Sequence, residues 1–175
     1  MARQVKVITA AEAAALIKNG DTVTTSGFVA SAIPEALDRA VEERFLATGE
    51  PRDITYVYCG SQGNKDGRGA EHFAHEGLLK RYIAGHWATV PALQKMALEN
   101  KMEAYNVSQG ALCHLFRDIA AHRPGCFTKV GLGTFIDPRN GGGKVNDVTK
   151  EDIIELVNIK GQDYLFYPAF PINVA

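Results

Sequence analysis

The sequence predicts an α/β fold: a three-layer, mostly parallel sheet with helices on both faces, ending in an antiparallel hairpin. Three observations point there. Strand-like and helix-like segments alternate along the chain, the order of a parallel sheet joined by right-handed crossovers. Positions 54–59, Ile-Thr-Tyr-Val-Tyr-Cys, form a near-continuous apolar and aromatic run of the kind carried by a strand buried on both faces. Glycine turns follow the strand candidates and lead into helices, as at Ser26-Gly27-Phe28.

Thr9-Ala10-Ala11-Glu12 is a capping box, in which the Thr9 hydroxyl accepts from the backbone three residues on while Glu12 reaches back, so a helix starts there. Alanines, Leu16 and Ile17 carry it to Asn19-Gly20, a left-handed stop. Positions 21–25 then read as a short β-branched strand. It feeds into Ser26-Gly27-Phe28. Pro34 follows at the favoured first position of an amphipathic helix bearing Leu37, Ala40, Val41 and Phe45 on one face. The strand at 54–59 precedes a polar, glycine-broken loop over 60–69. A weaker strand is expected at 81–84, a helix at 91–99, a strand at 103–107, and a helix at 109–121 closed by Pro124-Gly125. After Phe127 turn formers dominate. Segments 153–159 and 164–170 flank Lys160-Gly161-Gln162-Asp163 as an antiparallel hairpin. Residues 1–175 are expected to form one domain, and their strand-like end, Pro171-Ile172-Asn173-Val174-Ala175, predicts a truncated polypeptide.

A length of 175 residues with 46% hydrophobic and 22% charged side chains suits one packed core and excludes a disordered tail or a fibre. Nineteen basic against twenty acidic side chains, without long runs of one sign, argue against a nucleic-acid partner. Apolar runs such as 13–17 and 30–33 fall far short of the roughly 20 residues of a membrane helix, so no membrane span is expected. Met1 to Lys6 lead into strand-like sequence without an apolar signal core, which predicts a cytoplasmic protein.

Cys59, Cys113 and Cys126 are odd in number and show no Cys-x-x-Cys spacing, so buried, reduced thiols are expected. His72 and His75, three apart beside Glu71 and Glu76, lack the His-Glu-x-x-His order and a recognisable third ligand. No metal is expected, and ordinary helix-surface or loop packing is the reading for both. Gly141-Gly142-Gly143-Lys144 looks like a phosphate loop, but Pro138 and Val145 stand where that motif needs Gly and Ser or Thr. Gly131-x-Gly133 has Ile136 at the third dinucleotide-motif glycine, so no nucleotide cofactor is expected either.

In open α/β sheets ligands gather at the carboxyl ends of the strands, which directs attention to the loops after Thr25, Cys59 and Val107. Gly27 lets the backbone approach a ligand, and the helix behind it aims its dipole at the loop; a tight strand-to-helix turn is an equally complete reading. Gln109, at the start of a helix after a strand, has two N–H donors able to stabilise an oxyanion on a carbonyl. Taken alone it is also simply a polar residue in a first turn.

Read together, these segments carry more. Asn19-Gly20-Asp21-Thr22-Val23-Thr24-Thr25-Ser26-Gly27-Phe28 with Ile33-Pro34-Glu35-Ala36-Leu37 resembles the amino-terminal signature of family I coenzyme A transferases. The run from Asn106-Val107-Ser108-Gln109-Gly110 to Gly131-Leu132-Gly133-Thr134 resembles its downstream partner. The stretches Tyr58-Cys59-Gly60-Ser61-Gln62-Gly63, Gly67-Arg68-Gly69-Ala70-Glu71-His72-Phe73 and Phe135-Ile136-Asp137-Pro138-Arg139-Asn140-Gly141-Gly142-Gly143-Lys144 are similar to the propionate and acetate class within it. Ser26 and Ala32 stand where many members have glycine.

The resemblance implies exchange of CoA between an acyl thioester and a short-chain carboxylate, with acyl-CoA as substrate and no permanently bound cofactor. It casts Gln109 as the oxyanion donor, and Gly27, Phe28, Gly110, Gly131 and Gly133 as lining for substrate and CoA. The family's nucleophilic glutamate lies in the carboxy-terminal half, and none of the eleven glutamates here matches its motif. The chain therefore corresponds to an amino-terminal, alpha-subunit-like half that needs a complementary half or subunit, in an enzyme expected to be a homo-oligomer. Two further readings are a non-catalytic half-module and a phosphosugar isomerase-like α/β domain.

Overall fold

The computed structural model describes residues 5–175. Four parallel strands, β1 (Thr22–Val23), β2 (Ile54–Tyr58), β3 (Leu79–Ala84) and β4 (Glu103–Asn106), lie side by side in sequence order. Helices α1 (Ala10–Ala14), α2 (Glu35–Thr48), α3 (Pro91–Leu98) and α4 (Gln109–Ala120) alternate with them. A second sheet of β5 (Gly125–Thr128), β6 (Glu155–Ile159) and β7 (Gln162–Pro168) is antiparallel, with β7 central. The strand-like opening read from Met1 falls partly outside the described residues, and 5–9 take no strand.

Strand alternation builds two cores on one sheet. Tyr56, Tyr82 and Ala104 are register partners and point to one face, where α1, α2 and α3 contribute Ala14, Val41 and Leu93. Tyr56 stacks between Phe73, 4.6 Å away, and Tyr82, 5.7 Å away. Val57, Ile83 and Tyr105 point to the opposite face. There they meet Leu112 and Leu115 of α4 together with Leu165 and Tyr167 of β7. The expected three layers are present, and the second outer layer is shared between α4 and the antiparallel sheet. Residues at the chain's end pair with the outer edge of β1, where the Thr24 N–H donates to the Val174 carbonyl over 3.0 Å.

Four local expectations differ from the structure. The capping box of Thr9 and Glu12 is formed, but α1 stops at Ala14, because the Arg44 guanidinium occupies the carbonyls of Ala14 and Ile17 at 2.7 Å each and tighter turns follow. Gly49 is the left-handed stop of α2, while Gly20, also at positive φ, lies beyond the end of α1 and turns the chain toward β1. In α2, Leu37 is 42% exposed while Asp38 is 1% exposed, so the buried face runs through Asp38, Ala40 and Val41. That rotation brings Glu35, Asp38 and Glu42 to the 3-10 turn over Gly69–Phe73. The strand β5 carries no turn-bounded signal of its own; it exists because β7 passes beside it in antiparallel register. Cys126 is buried as expected, but Cys59 is half-buried and Cys113 exposed, since α4 turns Ala111, Leu112 and Leu115 inward instead.

Candidate functional site

The carboxyl ends of β1, β2 and β4 meet along one edge of the parallel sheet. Beyond β1 the chain runs through Ser26 and turns at Gly27, whose φ is +121°; an added Cβ there would stand 2.9 Å from the Ala32 carbonyl and from Ile33. No larger residue fits this turn without displacing backbone. The loop then folds back over the end of β2: Val29 donates to the Ser61 carbonyl over 3.0 Å and Gly63 donates to the Val29 carbonyl over 2.8 Å. Val29 and Ala32 are held at φ +54° and +55°. A β-branched residue in that region is uncommon and strained, and here hydrogen bonds on both sides hold it.

Below the turn lies a closed polar knot. The Thr25 and Tyr56 hydroxyls both donate to Oε1 of Gln62, over 2.5 and 2.7 Å, and the two hydroxyls are 2.5 Å apart. Gln62 is fully buried, and its Nε2 has no partner among the described residues. The Tyr58 hydroxyl donates to the Gly27 carbonyl and so ties the turn to β2. Burial raises the Tyr58 hydroxyl's pKa, which keeps it a neutral donor. Sequence reading missed Gln62, whose signal is positional: it follows a buried strand by four residues and shares its loop with Gly60 and Gly63.

Gln109 opens α4 on the far side of this edge. The Ser108 hydroxyl caps the helix by accepting from Ala111 over 3.3 Å. The loop after β3 fixes its position: an added Cβ at Gly85 would strike the Cys59 carbonyl and lie 2.6 Å from Cα and Cβ of Gln109. An added Cβ at Gly60 would stand 3.6 Å from Nε2 of Gln109, so the amide lies over the β2 loop. We expect Gly85→Ala to push α4 away from β2 and to cost about 1–3 kcal/mol, seen as a lower denaturant midpoint; an unchanged midpoint would mean the gap between β2 and α4 is looser than described.

A groove of about 630 Å³ runs beside this edge, lined among others by Ser26, Gly27, Tyr58, Cys59, Phe116 and Ile119. Its walls are mostly apolar and none of its lining residues is a glutamate. Phe28 is 60% exposed beside it, and Gly110 is open on the first turn of α4. Gly131 and Gly133 sit elsewhere. Gly131 packs on Leu165 and Ile136, while the Gly133 N–H donates to Oδ2 of Asp137 over 2.8 Å. The Arg139 guanidinium, with the Gly133 and Arg139 N–H groups, holds the fully buried Asp137 carboxyl far below the usual carboxylate range. The Gly141-Gly142-Gly143-Lys144 loop is occupied by its own chain: Asn106 donates to the Gly143 carbonyl over 2.8 Å and Lys144 pairs with Asp152.

The two histidines are not surface residues of a helix. Both ring nitrogens of His72 face carboxylates, Nδ1 toward Glu42 at 2.5 Å and Nε2 toward Glu35 at 2.9 Å, and His75 reaches Glu42 at 2.6 Å. Burial pulls the His72 pKa down, but its bonds to Glu35 and Glu42 outweigh this and raise it above its ordinary value. The cluster ties α2 to the 3-10 turn, and none of its residues lines the groove.

Comparison with known proteins places the sequence and the fold. The coenzyme A transferase family profile matches residues 7–174. The caffeate CoA-transferase of Acetobacterium woodii is 41% identical over 170 residues, which are 97% of this chain and 32% of that protein. The acetate CoA-transferase YdiF of Escherichia coli K12 is 38% identical over 174 residues, 98% of this chain and 33% of that protein. A crystal structure of the acyl-CoA transferase YdiF from Escherichia coli O157:H7, a thioester complex with CoA, superposes with a TM-score of 0.87 at 37% identity, covering 93% of this chain and 32% of the other. The chain thus spans about a third of the length of these relatives. With the family profile matched over nearly its whole length and relatives 41% and 38% identical, the chain belongs to the coenzyme A transferase family.

Proposed function

We propose that this chain is the amino-terminal, alpha-type part of a short-chain acyl-CoA:carboxylate CoA-transferase, with propionate and acetate as its substrate class. One observation carries the reading: the Gln109 backbone, packed against Gly85, and the Gly27 turn stand on the same carboxyl edge of the sheet, and among the described residues no glutamate lines the apolar groove beside Gly27. Such a cleft can bind an acyl thioester and polarise its carbonyl, but a carboxylate nucleophile has to come from elsewhere. A relative whose structure is described as a thioester complex with CoA supports CoA as the group exchanged.

The chemistry follows from that division. A glutamate carboxylate from a complementary half attacks the thioester carbonyl, expelling CoA thiolate and leaving an acyl-glutamyl anhydride. The thiolate then attacks the glutamyl carbonyl, releasing the first carboxylate and leaving a glutamyl-CoA thioester; a second carboxylate reverses the steps. Each attack develops negative charge on a carbonyl oxygen, which the Gln109 N–H donors, carried on the first turn of α4, stabilise. Gly27 and Phe28 line the acyl side and Gly110 the start of α4. Gly131 and Gly133, away from the groove, are left as lining for CoA only by the family resemblance. We read 1–175 as one alpha-type domain working in a cytoplasmic homo-oligomer. Among the described residues no helix is long and apolar enough to cross a membrane. The phosphosugar-isomerase alternative is not favoured, since the chain belongs to a transferase family and its Gly141-Gly142-Gly143-Lys144 loop is filled by Asn106 and Asp152.

The test uses radiolabelled acetate with propionyl-CoA. Labelled acetyl-CoA is expected when the chain is mixed with a separately expressed carboxy-terminal half, and not from the chain alone. Turnover by the chain alone would place the nucleophile within these residues and sink the proposal.

A further inference from the structure

The carboxyl edge also brings together two thiols that the transfer chemistry does not use. Cys59 ends the β2 run and forms part of the groove wall. On α4, Gln109, Cys113, Phe116 and Ala120 follow one another at spacings of four, three and four residues, so they share a helical face. Both ends of that face are located. Gln109 is held against the Cys59 backbone across Gly85, and Phe116 and Ala120 line the same groove as Cys59. Cys113 lies between them on this face, which is turned to the end of β2 that carries Cys59. Cys113 is exposed and Cys59 half-buried, so solvent reaches the pair from the helix side. Cys126 is buried in the other core cluster, among residues of β7 and α4.

We propose that Cys59 and Cys113 form a reversible dithiol site that reacts with low-molecular-weight disulfides and closes to an intramolecular disulfide between β2 and α4. The Cys113 thiolate, after losing its proton to solvent, attacks one sulfur of the small disulfide; a mixed disulfide forms and one small thiolate leaves and is protonated. The Cys59 thiolate then attacks the Cys113 sulfur, the bond to the second small thiol breaks, and that thiol departs. Two protein thiols are oxidised and one small disulfide is reduced to two thiols. Burial and the neighbouring Cys113 push the Cys59 thiol up to about 11, which makes closure the slow step. Closure pins the first turns of α4 to the strand end. The site stands on the placement of the two thiols and does not depend on the transferase reading.

The experiment treats the full chain with glutathione disulfide and follows it by thiol titration and by mass spectrometry of non-reduced peptides. Free thiols are expected to fall from three to one, with Cys126 still available for labelling after denaturation. The peptides holding Cys59 and Cys113 are expected to be joined, and dithiothreitol should restore both thiols. Cys113→Ser, an exposed substitution, should abolish the loss. Cys59→Ala should stop the reaction at glutathione bound on Cys113. Glutathione retained on Cys113 in the unsubstituted chain, a bond involving Cys126, a Cys113-linked dimer, or three unreacted thiols would each overturn the proposal.

Discussion

Gln109→Ala is expected to lower turnover of the reconstituted transferase by roughly 10- to 1000-fold, where removal of a single oxyanion donor costs about 100- to 1000-fold. The loss should fall on kcat, because charge on the carbonyl oxygen is present only in the transition states and not in the bound thioester. Gln109 is exposed and fixed through its backbone against Gly85, so truncating its side chain leaves the packing of α4, which rests on Ala111, Leu112 and Leu115, in place. An unchanged melting temperature with a reduced kcat and an unaltered KM is the expected pattern. Gln109→Glu tests the sign of the interaction. A carboxylate in the same position repels the developing oxyanion and should be at least as damaging as alanine. If kcat is unchanged in the alanine variant, Gln109 is a polar residue of a first turn and the carbonyl is polarised elsewhere.

How far the sequence could lead depends on the range of the forces involved. The alternation of β1–β4 with the helices α2 to α4 was legible, because β2 is a near-continuous apolar run and the crossover helices open on prolines that composition shows directly, at Pro34 and Pro91. Gly27 and Gln109 were legible for the same local reason, a strand end passing into a helix. What escaped was non-local. Glu35 and His72 are 37 residues apart, and their pairing turns α2 so that Asp38, not Leu37, faces inward; helical periodicity counts apolar residues and is blind to this. Gln62 is buried only because Thr25 and Tyr56 of two other segments converge on its carbonyl oxygen. Gly131 and Gly133 came from the family resemblance alone; their contacts run to Asp137, Ile136 and Leu165, and no periodicity could show that Asp137 is fully buried.

Asp38→Asn is expected to stabilise the chain in a strongly pH-dependent way. The carboxyl is 1% exposed, and neither of its oxygens has a hydrogen-bond partner among the described residues. Burial raises its pKa from 3.8 to about 7, with Glu35 adding to the rise and His72 opposing it. For a carboxyl whose folded pKa lies above its unfolded value, the unfolded chain ionises first as pH rises. Stability is therefore full below about pH 4, falls between that point and about pH 7, and is level beyond. The total loss is on the order of 4 kcal/mol, of which about 2–3 kcal/mol lies between pH 5 and pH 8. Asparagine has no proton to lose, so the difference in stability between variant and parent should grow by that amount over this interval, whatever fixed cost the buried amide adds. In melting temperature the change corresponds to about 4–12 °C. Comparing the two proteins at each pH removes the part of the His72 contribution that comes from Glu35 and Glu42, which both retain. Its raised pKa gives stability present below the ordinary histidine range and lost as pH rises through the folded value. A difference that stays constant from pH 5 to pH 8 would show that Asp38 ionises normally, with a partner or water at its carboxylate, and that α2 does not hold an uncompensated acid against the core.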